Sequence, residues 1–176
     1  MKQNKAVSVV MCTYNGASRH LCEQLDSIFS QTVLPGEIVV QDDGSTDDTM
    51  AVLNEYAHKA PEGVDVRIFQ NTAQQGINRN FFSAMHRSVG ELIAVCDQDD
   101  IWKPNKVALC LKALEKADFV VTDAVITDAE GRETHASFFK ERGIHRSWLG
   151  NIVKFGFLGC LCAFKSSVRD KALPFP

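Results

Sequence analysis

Short apolar runs alternate with amphipathic stretches along most of the chain. Five runs are rich in aliphatic and β-branched residues, which favours buried β-strands. They lie at residues 7–11, 37–41, 64–69, 92–96 and 119–125. Between the runs, apolar residues recur at the spacing of a helix with one buried face. Strands that alternate with helices of one to four turns predict a mostly parallel α/β sheet with helices on both faces.

Turn and cap residues set the expected helix boundaries. The residues at 35–36, Pro-Gly, should end the first helical segment before the second strand begins. Ser45 with Asp48 three residues later is a variant of the capping box, so a helix should start there and run to about residue 60. A third helix should turn Val89 inward and end at Gly90.

The regular pattern changes after residue 125. Residues 128–132 are typical of a turn between two extended pieces, and residues 140–146 form a polar segment that we expect to be irregular and mobile. A short helix is predicted at 147–155 and a strand-like run at 157–164. The whole chain of 176 residues is expected to form a single domain.

Composition excludes several classes of function. Hydrophobic residues make up 45% of the chain, enough for one substantial core, and the net charge of −3 shows no basic excess that would favour nucleic acid as a partner. No apolar stretch approaches the roughly 18 residues of a transmembrane helix, and the N-terminal residues do not resemble a secretory signal. The six cysteines lie mostly in apolar runs, which favours reduced core thiols in a cytoplasmic protein.

Polar residues follow three of the predicted strands at the point where each strand ends. They are residues 13–15 (Thr-Tyr-Asn), residues 42–43 (Asp-Asp) and residues 97–100 (Asp-Gln-Asp-Asp). Parallel strands place their carboxyl ends on one edge of the sheet, so these three groups should meet in one cleft.

The acidic residues after the fourth strand suggest a metal site. In an extended segment, Asp97 and Asp99 would point to the same side while Gln98 points away. Neighbouring carboxylates repel each other unless they are in water or hold a cation, so we expect Mg²⁺ or Mn²⁺ and a phosphate-bearing substrate. The alternative is an acidic surface turn, and convergence with the other two strand ends favours the metal site over it.

The residues that follow the first strand do not match the motifs of several classes of phosphate-binding protein. The chain lacks the dinucleotide fingerprint and the P-loop there. A nucleotidyltransferase would be expected to carry a Gly-rich basic loop after that strand, and an aspartyl-phosphate phosphatase an Asp pair. Tyr14 instead offers a flat face on which a base can stack, and Asp43 could accept the imide N–H of uracil or thymine. These features favour a pyrimidine nucleotide.

Three segments together resemble the signature segments of family 2 glycosyltransferases, in the same order and at similar separations. They are residues 8–16 (SVVMCTYNG), 38–47 (IVVQDDGSTD) and 97–102 (DQDDIW). The similarity is strongest from residue 7 to residue 123. It implies the GT-A fold, a Rossmann-like nucleotide-diphospho-sugar transferase fold, with a nucleotide-sugar donor and transfer that inverts the anomeric carbon.

The resemblance also assigns roles to individual residues. It implies that the donor nucleotide is bound by Cys12, Tyr14, Asp42, Asp43, Arg79 and Asp97. It implies that Asp99 binds the metal and that Asp100 and Gly159 contact the donor sugar. Residues 97–102 and 173–176 are similar to a rhamnosyltransferase-like branch, which makes dTDP-rhamnose one candidate donor.

The resemblance leaves the catalytic base and the acceptor open. The family's base follows the matched region, so we expect it to lie beyond residue 176 and this chain to be the donor-binding part of a longer enzyme. The acceptor would be a glycan or a lipid-linked molecule. Lys140, Arg142 and Arg146 could meet an anionic acceptor or the inner face of the membrane, or simply be solvated. The alternatives are a nucleotide-sugar-binding fragment without transfer activity and a metal-dependent nucleotidyltransferase.

Overall fold

The computed structural model describes residues 2–144 and 158–172, and the side chains of these residues from residue 6 onward. The described strands are β1 (Lys2–Thr13), β2 (Val33–Asp42), β3 (Asp65–Gln70), β4 (Leu92–Cys96), β5 (Phe119–Val121), β6 (Ile126–Thr127), β7 (Glu133–His135) and β8 (Cys162–Lys165). The described helices are α1 (Leu21–Phe29), α2 (Thr49–His58), α3 (Ile77–Arg87), α4 (Lys106–Leu114), α5 (Phe138–Arg142), a 3₁₀ turn at Gly159–Leu161, and α6 (Ser166–Ala172). None of these helices combines the length and the hydrophobicity needed to cross a bilayer.

A six-stranded sheet in the order β3-β2-β1-β4-β8-β5 organises the molecule. β1 pairs in parallel with β2 and with β4, and β2 pairs in parallel with β3. β8 runs antiparallel to both β4 and β5, while β6 and β7 form a separate hairpin. The prediction of a mostly parallel α/β sheet is confirmed. Because the chain adds strands to both sides of β1, the carboxyl end of β1 lies at a topological switch point, where open α/β sheets bind ligands.

Alternate side chains of the central strands build a core on each face of the sheet. Val9 and Met11 of β1 pack with helices α1, α2 and α4 on one face, and Val10 packs with Ala84 of α3 on the other. All of these side chains are buried. A strand covered on both faces is mostly apolar on both, which explains why the central parts of β1, β2 and β4 read as apolar runs instead of alternating ones.

The boundaries of β2 and α2 differ from the expected ones. β2 already begins at Val33, and Pro35 pairs with Asn4 next to a register irregularity in β1, a position where a strand tolerates proline. Ser45 does not cap α2, because its hydroxyl donates to Asp42 Oδ1 at 2.5 Å and accepts from the Asn15 N–H at 2.9 Å. The helix therefore starts later, at Thr49, and ends at His58.

The end of α3 was also predicted incorrectly. The helix ends at Arg87, and Val89 is 78% exposed instead of facing the core. Gly90 is not a C-cap but lies buried against β1, where a Cβ atom would come within 2.5 Å of Ser8 Oγ. Glycine is required there because the backbones approach closely.

The region after β4 is less regular than the sequence suggested. The strand expected at 119–125 ends at Val121, and the strand in the run at 157–164 begins only at Cys162. Residues 138–142 form α5, which overlaps the polar segment at 140–146, with Ser137 Oγ accepting the Lys140 N–H and Gly143 ending the helix in the left-handed conformation. The predicted helix at 147–155, Arg146 and residues 173–176 lie outside the described residues.

A buried carboxylate ties the sheet together at the edge opposite the polar strand ends. Glu37 of β2 is 4% exposed and accepts hydrogen bonds from Ser8 Oγ at 2.5 Å and the Val89 N–H at 2.6 Å, and it pairs with Arg67 of β3. Burial alone would raise the pKa of Glu37, but the hydrogen bonds from Ser8, Val89 and Arg67 outweigh it and hold the pKa below its usual value. The ionised carboxylate therefore joins β1, β2, β3 and the connection into β4.

Replacing this carboxylate should destabilise the fold. We expect Glu37→Gln to lower the free energy of unfolding by about 2–4 kcal/mol at pH 7, because Arg67 and the surrounding N–H groups lose a charged partner. Urea titration of both proteins measures the difference. Glu115→Gln, at an exposed position after α4, is the matched control and should change stability by less than about 0.5 kcal/mol.

The same pair of proteins should differ in their response to acid. A lowered pKa in the folded state means that the Glu37 contribution is complete above the unfolded-state pKa of about 4.3 and is lost as the pH falls through the folded-state value. The stability gap between the parent and Glu37→Gln should thus shrink as the pH falls below about 4.3. A gap that is constant from pH 7 to pH 3 would show that the charge of Glu37 contributes nothing.

Candidate functional site

The carboxyl ends of β1, β2 and β4 meet at one edge of the sheet. Thr13 pairs with Asp42 in the β1–β2 register, and the Asp43 N–H donates to the Thr13 carbonyl at 2.8 Å. The Tyr14 N–H donates to Gln98 Oε1 at 2.9 Å, and Gln98 Nε2 donates back to the Tyr14 carbonyl at 3.3 Å. The residues predicted from three separate strand ends are therefore neighbours.

The turn after β1 is fixed by hydrogen bonds and presents Tyr14 to solvent. Asn15 has a positive φ of 47°, and its Oδ1 accepts the Thr46 N–H at 2.9 Å. The Gly16 N–H donates to Thr49 Oγ1 at 2.8 Å, and a Cβ atom on Gly16 would lie 2.5 Å from Gln98 Oε1. Tyr14 remains 40% exposed. An aromatic ring on a rigid turn is suited to stacking on a planar ligand.

Asp42 uses its carboxylate to build the turn after β2. It is fully buried, and its oxygens accept from Thr13 Oγ1 at 2.9 Å, from the Gly44 N–H at 3.0 Å and from Gln70 Nε2 at 3.2 Å. Both the N–H and the hydroxyl of Ser45 donate to it as well, at 2.7 and 2.5 Å. These donors occupy the lone pairs of the carboxylate, so Asp42 positions the following residue instead of offering a free acceptor.

Asp43 is held as a carboxylate by the loop that precedes α3. Its Oδ1 accepts from Asn71 Nδ2 and the Gln75 N–H, both at 2.8 Å, and its Oδ2 accepts the Gly76 N–H at 2.9 Å. Burial would raise the pKa of Asp43, but these three hydrogen bonds outweigh burial and lower it. Oδ2 accepts a hydrogen bond from one protein donor and can accept a second hydrogen bond.

A buried network of amide side chains supports Asp43 and was missed in the sequence. Asn80, 2% exposed, donates to the Gln41 carbonyl at 2.6 Å and accepts from Asn71 Nδ2 at 2.9 Å. Cys12 lies beside Asn80, and burial raises the pKa of its thiol, so it is neutral at pH 7. Arg79, in contrast, lies exposed on the first turn of α3. The only sequence signal for the network was the polar Arg79-Asn80 pair.

The acidic residues after β4 form a turn, not an extended segment. The extended geometry that was expected to turn Asp97 and Asp99 to one side is therefore absent, and the ligand atoms of Asp97, Asp100 and Cys160 lie within 4.8 Å of one another. Asp99 lies outside this group and is exposed. Gln98 does not point away from the site but contacts Tyr14.

The electrostatics of the acidic turn favour a cation. Burial raises the pKa of Asp97, and the charges of Asp100 and Asp99 raise it further, which reflects carboxylates crowded together. Carboxylate oxygens from Asp97, Asp99 and Asp100 suit Mg²⁺ or Mn²⁺. Burial also raises the pKa of the Cys160 thiol, and a neutral thiol is a poor ligand for these hard ions.

Residues from distant parts of the chain complete the surroundings of the acidic turn. Cys160, predicted as a packing residue, reaches Asp97 and Asp100 from the 3₁₀ turn before β8. Lys106 of α4 donates to the Cys160 carbonyl at 3.0 Å, and its Nζ lies 4.3 Å from the centre of the Trp102 ring. A Cβ atom on Gly159 would meet no atom within 4 Å among residues 2–144 and 158–172.

Solved structures share this architecture. Residues 1–349 of TarS from S. aureus superpose with a TM-score of 0.70 and 24% identity, over 100% of this chain and 50% of that one. The mannosyltransferase PcManGT from Pyrobaculum calidifontis, solved in complex with GDP-Man and Mn²⁺, has a TM-score of 0.68 and 22% identity, over 97% of this chain and 47% of that one. These similarities establish the GT-A fold predicted from the resemblance.

Curated relatives show the same relationship in sequence. An uncharacterized glycosyltransferase of Nostoc sp. is 36% identical over 114 residues, which is 65% of this chain and 34% of the relative. Chondroitin synthase of Escherichia coli is 33% identical over 116 residues, 66% of this chain and 16% of the relative. The chain thus spans about a third or less of the length of these two relatives. The model of glycosyl transferase family 2 matches residues 8–173, and this chain belongs to that family.

Proposed function

We propose that this chain binds the donor of an inverting glycosyltransferase, which moves a sugar from a UDP- or dTDP-sugar to a glycan or lipid-linked acceptor. The observation that carries the proposal is the meeting of Tyr14, Asp43 and the acidic turn at the switch point of the sheet. A stacking ring, an ionised acceptor and a cluster of carboxylates are the three groups that a metal-bound nucleoside diphosphate needs.

The pyrimidine base of the donor nucleotide would lie against Tyr14 and Asp43. The exposed ring of Tyr14 stacks on the pyrimidine, and Asp43 Oδ2 accepts the imide N–H, which uracil and thymine have in common. Cys12 and Asn80, which are buried beside each other, would lie behind it. Asp42 acts indirectly in this proposal, by holding the turn that orients Asp43.

The diphosphate would lie between Arg79 and the acidic turn. Asp99, exposed at the tip of the turn, would bind Mg²⁺ or Mn²⁺ with help from Asp97 and Asp100. A cation bound there neutralises the negative charge that develops on the diphosphate when the sugar leaves. Arg79, exposed on the first turn of α3, would add a second positive charge.

The donor sugar would occupy the open space beside Gly159, next to Asp100. Transfer with inversion also requires a base that takes the acceptor's proton. The proposal places this base beyond residue 176, in keeping with the greater length of the relatives. The structures of TarS with UDP-GlcNAc and of PcManGT with GDP-Man and Mn²⁺ support a nucleotide-sugar donor by analogy.

Nucleotide binding can be tested by thermal unfolding with UDP or dTDP, with and without Mn²⁺. Ligand at about a hundred times its dissociation constant should stabilise the parent by roughly 2.7 kcal/mol. Asp99→Asn should lose the part of this stabilisation that depends on Mn²⁺, because a ligand to the cation is removed. Asp170→Asn makes the same change at an exposed position on α6 and should respond like the parent.

The outcomes separate the parts of the proposal. If neither nucleotide stabilises the parent, the donor site is wrong. If Asp99→Asn responds to nucleotide and Mn²⁺ as strongly as the parent, the assignment of Asp99 as a metal ligand is wrong. The same assay on Asp97→Asn and Asp100→Asn then tests the two carboxylates that the structure brings together. Nucleotide release from a UDP-sugar in the presence of acceptor distinguishes a transferase from a binding fragment.

Gly159→Ala tests the position of the donor sugar. The added methyl group meets no atom of the described residues within 4 Å, so we expect the free energy of unfolding to stay within about 0.5 kcal/mol of the parent. The dissociation constant for UDP should not change, whereas that for a UDP-sugar should rise about tenfold, because the methyl group takes space from the sugar. Isothermal titration with both ligands measures this. Equal effects on UDP and UDP-sugar would place the sugar elsewhere.

A further inference from the structure

Two side-chain amides connect the end of α3 with the carboxylate of Asp43. Arg87 Nε donates to Gln41 Oε1 at 3.3 Å, and Gln41 Nε2 donates to Asn71 Oδ1 at 2.9 Å. Asn71 Nδ2 in turn donates to Asp43 Oδ1 at 2.8 Å and to Asn80 Oδ1 at 2.9 Å. We call Gln41 and Asn71 the amide pair. Each of its members donates in the direction of Asp43.

The direction of the amide pair is set by the groups at its two ends. A side-chain amide can turn around and exchange its donor and its acceptor, so its neighbours decide which way it points. The guanidinium of Arg87 only donates, so it requires the oxygen of Gln41 on its side. The ionised carboxylate of Asp43 only accepts, so it requires the amino group of Asn71. Both ends therefore specify the same direction.

The surrounding structure holds the amide pair in place. The side chain of Gln41 is 1% exposed, and the backbone N–H of Asn71 donates to the Asp42 carbonyl at 2.9 Å. The guanidinium carbon of Arg87 lies 4.3 Å from the centre of the Phe69 ring, which keeps this cation next to Gln41. The amide pair is thus fixed at both ends before any ligand arrives.

This arrangement restricts what Asp43 can offer to a ligand. Asn71 Nδ2 and the Gln75 N–H both donate to Oδ1, and the Gly76 N–H donates to Oδ2. These three neighbours all donate, which favours the ionised carboxylate, and an ionised carboxylate has no proton to give. A ligand atom that meets Oδ2 must then be a donor as well. The N3 atom of uracil carries a hydrogen, whereas the N3 atom of neutral cytosine presents a lone pair.

We propose that Asn71, held in its direction by Gln41, is a positioning residue that makes the donor site select a base with a ring N–H over cytosine. The inference rests on the proposed function, since it takes Asp43 as the acceptor of that N–H. It goes beyond that function by naming the residues behind Asp43 that decide between two bases of the same size. Stacking on Tyr14 does not distinguish these bases, because both present the flat face of a pyrimidine.

The parent protein tests the selection through its binding of UDP and CDP. Isothermal titration in the presence of Mn²⁺ should give a dissociation constant for UDP at least about tenfold below that for CDP, because cytosine places a lone pair against Asp43 Oδ2. Inorganic pyrophosphate, which has no base, is titrated beside them and reports on the metal and diphosphate part of the site alone. Equal binding of UDP and CDP would overturn the inference.

Asn71→Ala removes the donor that fixes the orientation of the Asp43 carboxylate. We expect the dissociation constant for UDP to rise about tenfold, while those for CDP and pyrophosphate change less than about twofold. Asn54→Ala is the matched control, because its side chain also donates a hydrogen bond, to the Met50 carbonyl, but at an exposed position on α2. It should keep the preference of the parent. If Asn71→Ala weakens all three ligands equally, or keeps the preference for UDP, Asn71 only supports the fold.

Gln41→Met tests the amide pair one step further from Asp43. The variant keeps the length of the side chain but removes the amino group that faces Asn71 Oδ1, so the Asn71 amide can turn its oxygen towards Asp43. The preference for UDP over CDP should fall about threefold, with no change for pyrophosphate. If Asn71→Ala does not fold, Gln41→Met decides: a preference equal to that of the parent overturns the inference.

Binding of UDP by the parent distinguishes the two proposals. If the parent binds UDP but does not discriminate against CDP, or if the variants discriminate as the parent does, the inference about the amide pair fails and the donor site stands. If the parent binds neither nucleotide, the proposed function fails as well.

Discussion

Parallel hydrogen bonding of β1 to both β2 and β4 is the constraint on which the rest of the structure depends. This pairing requires β1 to be apolar on both faces, since helices cover it on each side. It also forces the three strands to end at the same edge. Polar residues inside the strands must be paired with one another, as Ser8 and Glu37 are, so the polar side chains that can meet a ligand accumulate where the strands leave the core.

The edge separates polar groups that build the structure from those that remain for a ligand. Asp42 and Asp43 are adjacent and both are nearly inaccessible, yet Asp42 is saturated by protein donors whereas Asp43 Oδ2 keeps accepting capacity. The neighbours Arg79 and Asn80 differ in the same way: Asn80 is buried in an amide network, whereas Arg79 is exposed to solvent. A buried polar group is stable only if it is paired, so the internal network is what allows Asp43 to remain ionised in a nearly closed position.

The negative charge of the acidic turn is concentrated in a small volume. Burial raises the pKa of Asp97 and the charge of Asp100 raises it further, while Lys106 is a nearby cation among the described residues. Such crowding is unfavourable in the protein alone and becomes favourable when a divalent cation is bound.

The amino-acid sequence by itself determined the order of strands and helices, the mostly parallel sheet and the meeting of three strand ends, because these follow from local periodicity and from a general rule of parallel sheets. The family was also visible in three short segments. The tertiary structure alone decided which side chains face each other there: Gln98 contacts Tyr14 across 84 residues of chain, and Cys160 joins Asp97 from a later turn. Local patterns carry no information about such pairs, because hydrogen bonds and packing between distant segments fix the direction of each side chain. For the same reason, strand alternation did not predict the turn at residues 97–100.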